Sequence, residues 1–153
     1  MPERSTILRA QRDAREGKSA STQAGEFVRE QIRHIRQGKH GARNAKQAIA
    51  IGLSEARRAG VKLPPPAKGR TSPATRQKAE RDATRGTVRI GASRRTASSR
   101  KRADATLRTL RKETQSAASL AALSRQARQA AQRRSPAQRP RAAQKAARTR
   151  RRS

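Results

Sequence analysis

The sequence predicts a mainly α protein, with a small N-terminal helical hairpin followed by a largely disordered, helix-prone basic region. Three observations carry that prediction. Two amphipathic stretches with helix start and stop signals lie within residues 19–63. Large apolar side chains are sparse, and Phe27 is the one aromatic residue in 153. Forty Lys and Arg against ten Asp and Glu give a formal net charge of +30. Ordering a chain costs about 1–2 kcal/mol of backbone entropy per residue, whereas each buried large apolar side chain returns only about 1.5–3 kcal/mol. So thin a supply of apolar groups predicts one small ordered region and a tail that is helical only in part or on binding.

Residues 1–18 read as a polar N-terminal arm, a short helix in which Ile7 and Leu8 are the only sizeable apolar groups, stopped by Gly17. Residues 19–63 form the hairpin module. Its first helix is expected over about 23–37, with Thr22 as N-cap, Phe27, Val28, Ile32 and Ile35 on one side, and Gly38 as the stop. Glu26 and Glu30 lie early and Arg33, His34 and Arg36 late, which complements the helix dipole and lets the acids pair with Arg33 or His34. The second helix has the clearest signals. Asn44 and Gln47 read as a capping box, and Ala45, Ala48, Ile49, Leu53 and Ala56 recur at helical spacing. Gly60 sits where a left-handed residue closes the helix, with Val61 and Ala56 as the pair that should then meet. Gly52 interrupts this helix at about 0.8–1 kcal/mol relative to alanine, which predicts close approach of another helix, with Phe27 or Ile32 over it.

Residues 64–71 are a Pro-rich linker, begun by three consecutive prolines that favour an extended polyproline conformation. Residues 72–134 form a basic, Ala/Arg-rich, helix-prone region. Ser72 and Pro73 start a nearly all-polar helix that is expected to be solvated or laid along a polyanion. Residues 100–113 and 116–134 are alanine-rich stretches with high helix propensity and little to bury. Residues 135–153 are a disordered basic tail without any acid.

Charge narrows the choice of partner. Residues 1–66 hold 14 basic and 6 acidic residues, and residues 67–153 hold 26 and 4. That excess opposes compaction and favours a polyanion, nucleic acid ahead of anionic membrane or acidic protein. The 31 arginines against nine lysines present planar forks suited to phosphate. Residues expected to contact it are Lys39, His40, Arg43 and Lys46, in a basic loop leading into a helix N-terminus, and Arg125, Arg128, Arg133, Arg134, Arg139, Arg141, Lys145, Arg148, Arg150, Arg151 and Arg152 in the acid-free C-terminal stretch. Phe27, Ile32, Ile35, Asn44, Ile49, Gly52, Leu53 and Gly60 are the expected structural residues. With aromatic interleaving absent, duplex DNA is expected ahead of single-stranded RNA, and structured RNA stays open.

Other chemistries find little material. No cysteine is present, so disulfide scaffolds, thiol catalysis and cysteine-based zinc sites are excluded. The ten acids are scattered among basic neighbours, and no enzyme activity or cofactor is expected. His34 and His40 offer at most two metal ligands with no third beside them except a glutamate, so no metal site is expected. No run is long and apolar enough to span a membrane, and the N-terminus lacks the apolar core of a signal peptide, so a cytoplasmic, nucleoid-associated location is expected.

The run KHGARNAKQAIAIGLSEARRAGVKLPPP, residues 39–66, resembles an uncharacterised domain family of small, very basic bacterial proteins, in which a KHG element precedes a KQAIAI and SEAR helix and a glycine. STQAGEFVREQIRHIRQG, residues 21–38, looks like the region adjoining that element in longer members, so the likeness covers about residues 19–66. The tail AAQKAARTRRR is similar in composition to bacterial histone H1-like proteins. The family brings no activity with it. The reading from the residues is therefore non-sequence-specific nucleic-acid binding by phosphate neutralisation. The alternative is an interaction protein that uses the hairpin and tail to hold a protein partner or ribosomal or other structured RNA.

Overall fold

The computed structural model describes residues 2–87, 97–133, 140, 143–144 and 147–148. These residues are mainly helical, with no strand among them: α1 (Arg4–Arg15), α2 (Ala20–Arg36), α3 (Ala45–Arg58), α4 (Pro73–Thr87), α5 (Ala97–Arg111), a 3-10 turn at Ser116–Ala118, and α6 (Leu120–Gln132). α1 and α3 both pack on α2, α4 packs on α3, and the 3-10 turn bears on α2, α3 and α6.

The helix ends follow from local chemistry. Gly38 and Gly60 adopt φ of 72° and 91°, and the amides after them fold back, Lys39 to His34 O and Val61 to Ala56 O, each at 3.0 Å. These are Schellman endings, and Ala56 and Val61 meet in the core. At the start of α3, Asn44 Oδ1 accepts the Gln47 N–H at 2.9 Å. Gln47 Oε1 reaches one residue farther upstream than a standard capping box and accepts from Arg43 N–H at 2.8 Å. α2 begins three residues before the expected start, because Ser19 rather than Thr22 is its N-cap and accepts the Thr22 N–H at 3.4 Å. Nothing between them breaks a helix, so the earlier hydroxyl caps an additional turn.

The core is in two parts. Phe27, Ala10, Ala24, Ala56 and Val61 are buried together, with Ile7, Leu53 and Leu63 packed on them. Ile35, Ala42, Ala48, Ala117 and Ala118 form the second cluster, with Ile32 against it. The buried ridge of α3 is Ala45, Ala48, Gly52 and Ala56, while Ile49 and Leu53 are half-buried beside it. A Cβ on Gly52 would lie 2.6 Å from Val28 Cα and 2.8 Å from Val28 N. The residue over Gly52 is thus Val28, not Phe27 or Ile32. A ridge of small residues admits the neighbouring backbone itself.

The polar N-terminal arm and the nearly all-polar helix from Ser72, neither of which offers a substantial apolar face, are both packed. α1 buries Thr6, Ala10 and Asp13. Its inner face is made of small and hydrogen-bonded polar residues, so an apolar stripe does not reveal it. Arg9 Nε donates to Glu26 Oε2 at 2.7 Å and Lys18 Nζ to Asp13 Oδ1 at 3.1 Å. α4 buries Ala79 and Asp82 against α3, where Ser54 Oγ donates to Asp82 Oδ2 at 2.5 Å. The Pro-rich segment before α4 is held from the α3 side, since the buried Arg57 guanidinium donates to Leu63 O and Pro64 O at 3.3 and 3.1 Å.

Candidate nucleic-acid interface

The loop from α2 to α3 is a docking surface for the end of α5 and the chain that follows it. Gly41 N–H donates to Leu110 O at 2.8 Å and Ala42 N–H to Thr114 O at 3.0 Å. Gly41 is buried so closely that a Cβ there would lie 1.9 Å from Glu113 O. Ala117 and Ala118 then settle on Ile35 and Ala48, and Arg36 Nε donates to Ala118 O at 3.0 Å. Ser119 caps α6, its Oγ accepting the Ala122 N–H at 3.2 Å. The start of α6 is thereby set opposite the start of α3.

A cavity of about 400 Å³ lies between the two helix starts. Arg43, Asn44 and Lys46 line it from the α3 side, with Ser116, Ser119, Arg125, Gln126 and Gln129 opposite. Three cations, two hydroxyls and three amides converge there with the positive ends of two helix dipoles. No acid lines the cavity, although Glu113 Oε1 lies 3.8 Å from Arg43 Nε at its edge. This composition favours an anion with several oxygens, which arginine meets as a planar fork and lysine as a point charge.

Sequence-expected contacts separate into groups. Arg43, Lys46 and Arg125, apart by up to 82 positions in the chain, line the one cleft. Lys39 and His40 turn elsewhere. Lys39 Nζ is 3.7 Å from Glu3 Oε1, and His40 places Nε2 3.0 Å from Gln31 Oε1 and Nδ1 3.0 Å from Gly41 O. The expected four-residue basic loop therefore acts as two pairs, because the acids and amides of α1 and α2 draw Lys39 and His40 away. Arg128 and Arg133 are exposed along and just after α6, without an acidic partner among the described residues, and Arg148 is exposed farther on. Arg134, Arg139, Arg141, Lys145, Arg150, Arg151 and Arg152 lie outside the described residues.

Acids pair with several of the cations on the N-terminal helices. Glu26 pairs with Arg9 and Arg29, Asp13 and Glu16 with Lys18, and Glu3 with Arg33 and His34. Of the expected pairings with Arg33 and His34, only Glu30 with His34 forms, at 3.7 Å, since Glu3 takes Arg33. Hydrogen bonding from His34 and then Arg33 outweighs desolvation at Glu3 and lowers its pKa from 4.5 to about 2. Burial raises the pKa of Glu55 against the opposing charge of Arg58, with the Glu30 charge adding to the rise and Gln31 Nε2, donating at 2.6 Å, acting against it. Sequence reading missed Gly41, Ser116, Ser119, Gln126 and Gln129. Ser119 ahead of an alanine and leucine run is a legible cap, but nothing local marks Gly41 as the seat of a segment about 70 residues away.

No helix of the described residues is long and apolar enough to cross a membrane. No curated protein and no solved structure matches the chain. Residues 15–68, a stretch that includes α2, α3 and the KHG to SEARRAG element at 39–60, match the sequence model of a family of unknown function (DUF6496).

Proposed function

We propose that this protein binds nucleic acid without reading its sequence, duplex DNA foremost, by neutralising phosphates in a nucleoid-associated, histone H1-like role in a bacterial cell. The observation that carries the reading is the cleft where Arg43, Lys46 and Arg125 converge at two helix starts. Backbone phosphates held by Arg43, Lys46 and Arg125 place the strand beside α6, where the exposed Arg128, and Arg133 just after the helix, lead into a stretch of further arginines. The cleft fixes the chain on the strand, and the arginines that follow supply most of the affinity through counterion release.

The same arrangement argues against sequence readout. Arg128 is exposed on a helix with no buried residue and Arg133 is exposed just after its end, so no packed neighbour fixes them against base edges. Phe27, the one aromatic side chain, is 1% exposed and has no face to offer an unstacked base. A protein partner on the apolar side of α2 and α3 is less well supported, because α1 and the 3-10 turn cover it. Fluorescence anisotropy of the full chain with unrelated duplexes, single strands and structured RNA across a salt series tests the reading. It expects equal affinity among duplexes, weaker binding to single strands, and a steep linear fall of log K with log salt. Base-sequence preference or salt-insensitive binding refutes it.

A further inference from the structure

Sequence alone leaves the two histidines short of a third metal ligand, but the fold supplies carboxylates from two helices. Glu30 precedes His34 by one turn of α2, and the start of α1 brings Glu3 over that turn. His34 Nε2 lies 3.0 Å from Glu3 Oε1 and 3.7 Å from Glu30 Oε1, and the three donor atoms all lie within 4.8 Å of one another. A tetrahedral shell with metal bonds of about 2.0–2.2 Å spaces its ligand atoms about 3.3–3.6 Å apart. The two measured edges bracket that spacing.

A second observation points to a ligand independently. Glu30 is 1% exposed, and its Oε2 has no hydrogen-bond partner among the described residues. Its Oε1 accepts one bond, from Glu3 N–H at 2.8 Å. A buried carboxylate in so few hydrogen bonds carries an uncompensated desolvation cost, and an ion or water commonly completes such a group. The neighbouring cations serve Glu3 instead: Arg33 Nη2 donates to its Oε2, and Lys39 Nζ lies 3.7 Å from its Oε1.

We propose that Glu3, Glu30 and His34 form a binding site for a divalent transition metal, with zinc the best match. One imidazole and two carboxylates suit zinc better than calcium or magnesium, which favour all-oxygen shells. Arg33 stays on Glu3 Oε2 and orients that carboxylate from outside the coordination shell. Lys39, with its side chain 53% exposed, moves to solvent when the ion takes Glu3 Oε1. The ion ties the start of α1 to α2 and leaves one position for water.

Zinc chloride titrated into the full chain by calorimetry tests the site. One ion binds with a dissociation constant of about 10 µM or tighter, weakened at least about tenfold by His34→Ala and by Glu30→Gln but not by His40→Ala. Nitrogen-15 spectra of the unsubstituted chain give a readout that does not depend on how the variants fold. Zinc shifts His34 Nε2 to the metal-bound range and leaves both His40 nitrogens in place. No saturable binding at about 100 µM zinc, binding that survives His34→Ala, or coordination through His40 alone overturns the proposal.

Discussion

Gly41→Ala tests whether the cleft is assembled by docking of the segment after α5. A Cβ at this position would lie 1.9 Å from Glu113 O, 2.4 Å from Glu113 C and 2.9 Å from Thr114 O. A carbon atom meets a carbonyl oxygen at about 3.3–3.6 Å, so the segment must retreat by about 1.5 Å. The bonds from Gly41 N–H to Leu110 O and from Ala42 N–H to Thr114 O do not survive that retreat. Each is worth about 0.5–1.5 kcal/mol net, and the methyls of Ala117 and Ala118 add about 0.8 kcal/mol each. Docking therefore weakens by about 2.5–4.5 kcal/mol. The effect is local, because α1 to α3 keep their own cluster around Phe27. Amide hydrogen exchange on the full chain is the assay, with protection at Ala42 expected to fall by about two orders of magnitude while amides in the middle of α2 hold theirs. Unchanged exchange at Ala42 refutes the reasoning.

Gly52→Ala improves helix propensity by about 0.8–1 kcal/mol yet drives a Cβ into the Val28 backbone, and overpacking of this kind costs about 1–3 kcal/mol or more. A lower midpoint in thermal unfolding followed by circular dichroism is expected, and equal or higher stability contradicts the α2–α3 contact. Glu55→Gln tests the buried carboxylate. Because burial raises the folded-state pKa of Glu55 above 4.5, the wild-type chain loses stability as pH rises from 4.5 through the raised value. The variant should be the more stable at pH 7 and lose that advantage below pH 4.5; a pH-independent difference, or a less stable variant at pH 7, contradicts the assignment.

The caps and stops of α3 were legible because each is a local event. Asn44, Gln47, Gly60 and Val61 act on neighbours within five positions, and the chemistry of each residue names its partner. The packing of α1, α4 and the 3-10 turn was not legible. Hydrophobic periodicity detects burial of large side chains, whereas these elements bury Thr6, Asp13, Asp82, Ala117 and Ala118. Small and paired polar residues carry no such signal even where they are fully enclosed. The site divides in the same way. Net charge marked Arg43, Lys46 and Arg125 as phosphate contacts, but only the docking of Gly41 on Leu110 and Ala42 on Thr114 brings the third beside the first two. The same folding turns Lys39 and His40, which the sequence grouped with Arg43 and Lys46, toward Glu3 and Gln31.

The central claim is that Arg43, Lys46 and Arg125 act together on backbone phosphate. Its most direct test is the salt dependence of duplex binding by the full chain carrying Arg43→Gln, Lys46→Gln and Arg125→Gln together. Each phosphate contact contributes about 0.9 to the slope of log K against log salt, so the account predicts a slope shallower by about 2–3, with the same loss on every duplex sequence. A slope equal to that of the unsubstituted chain would contradict it.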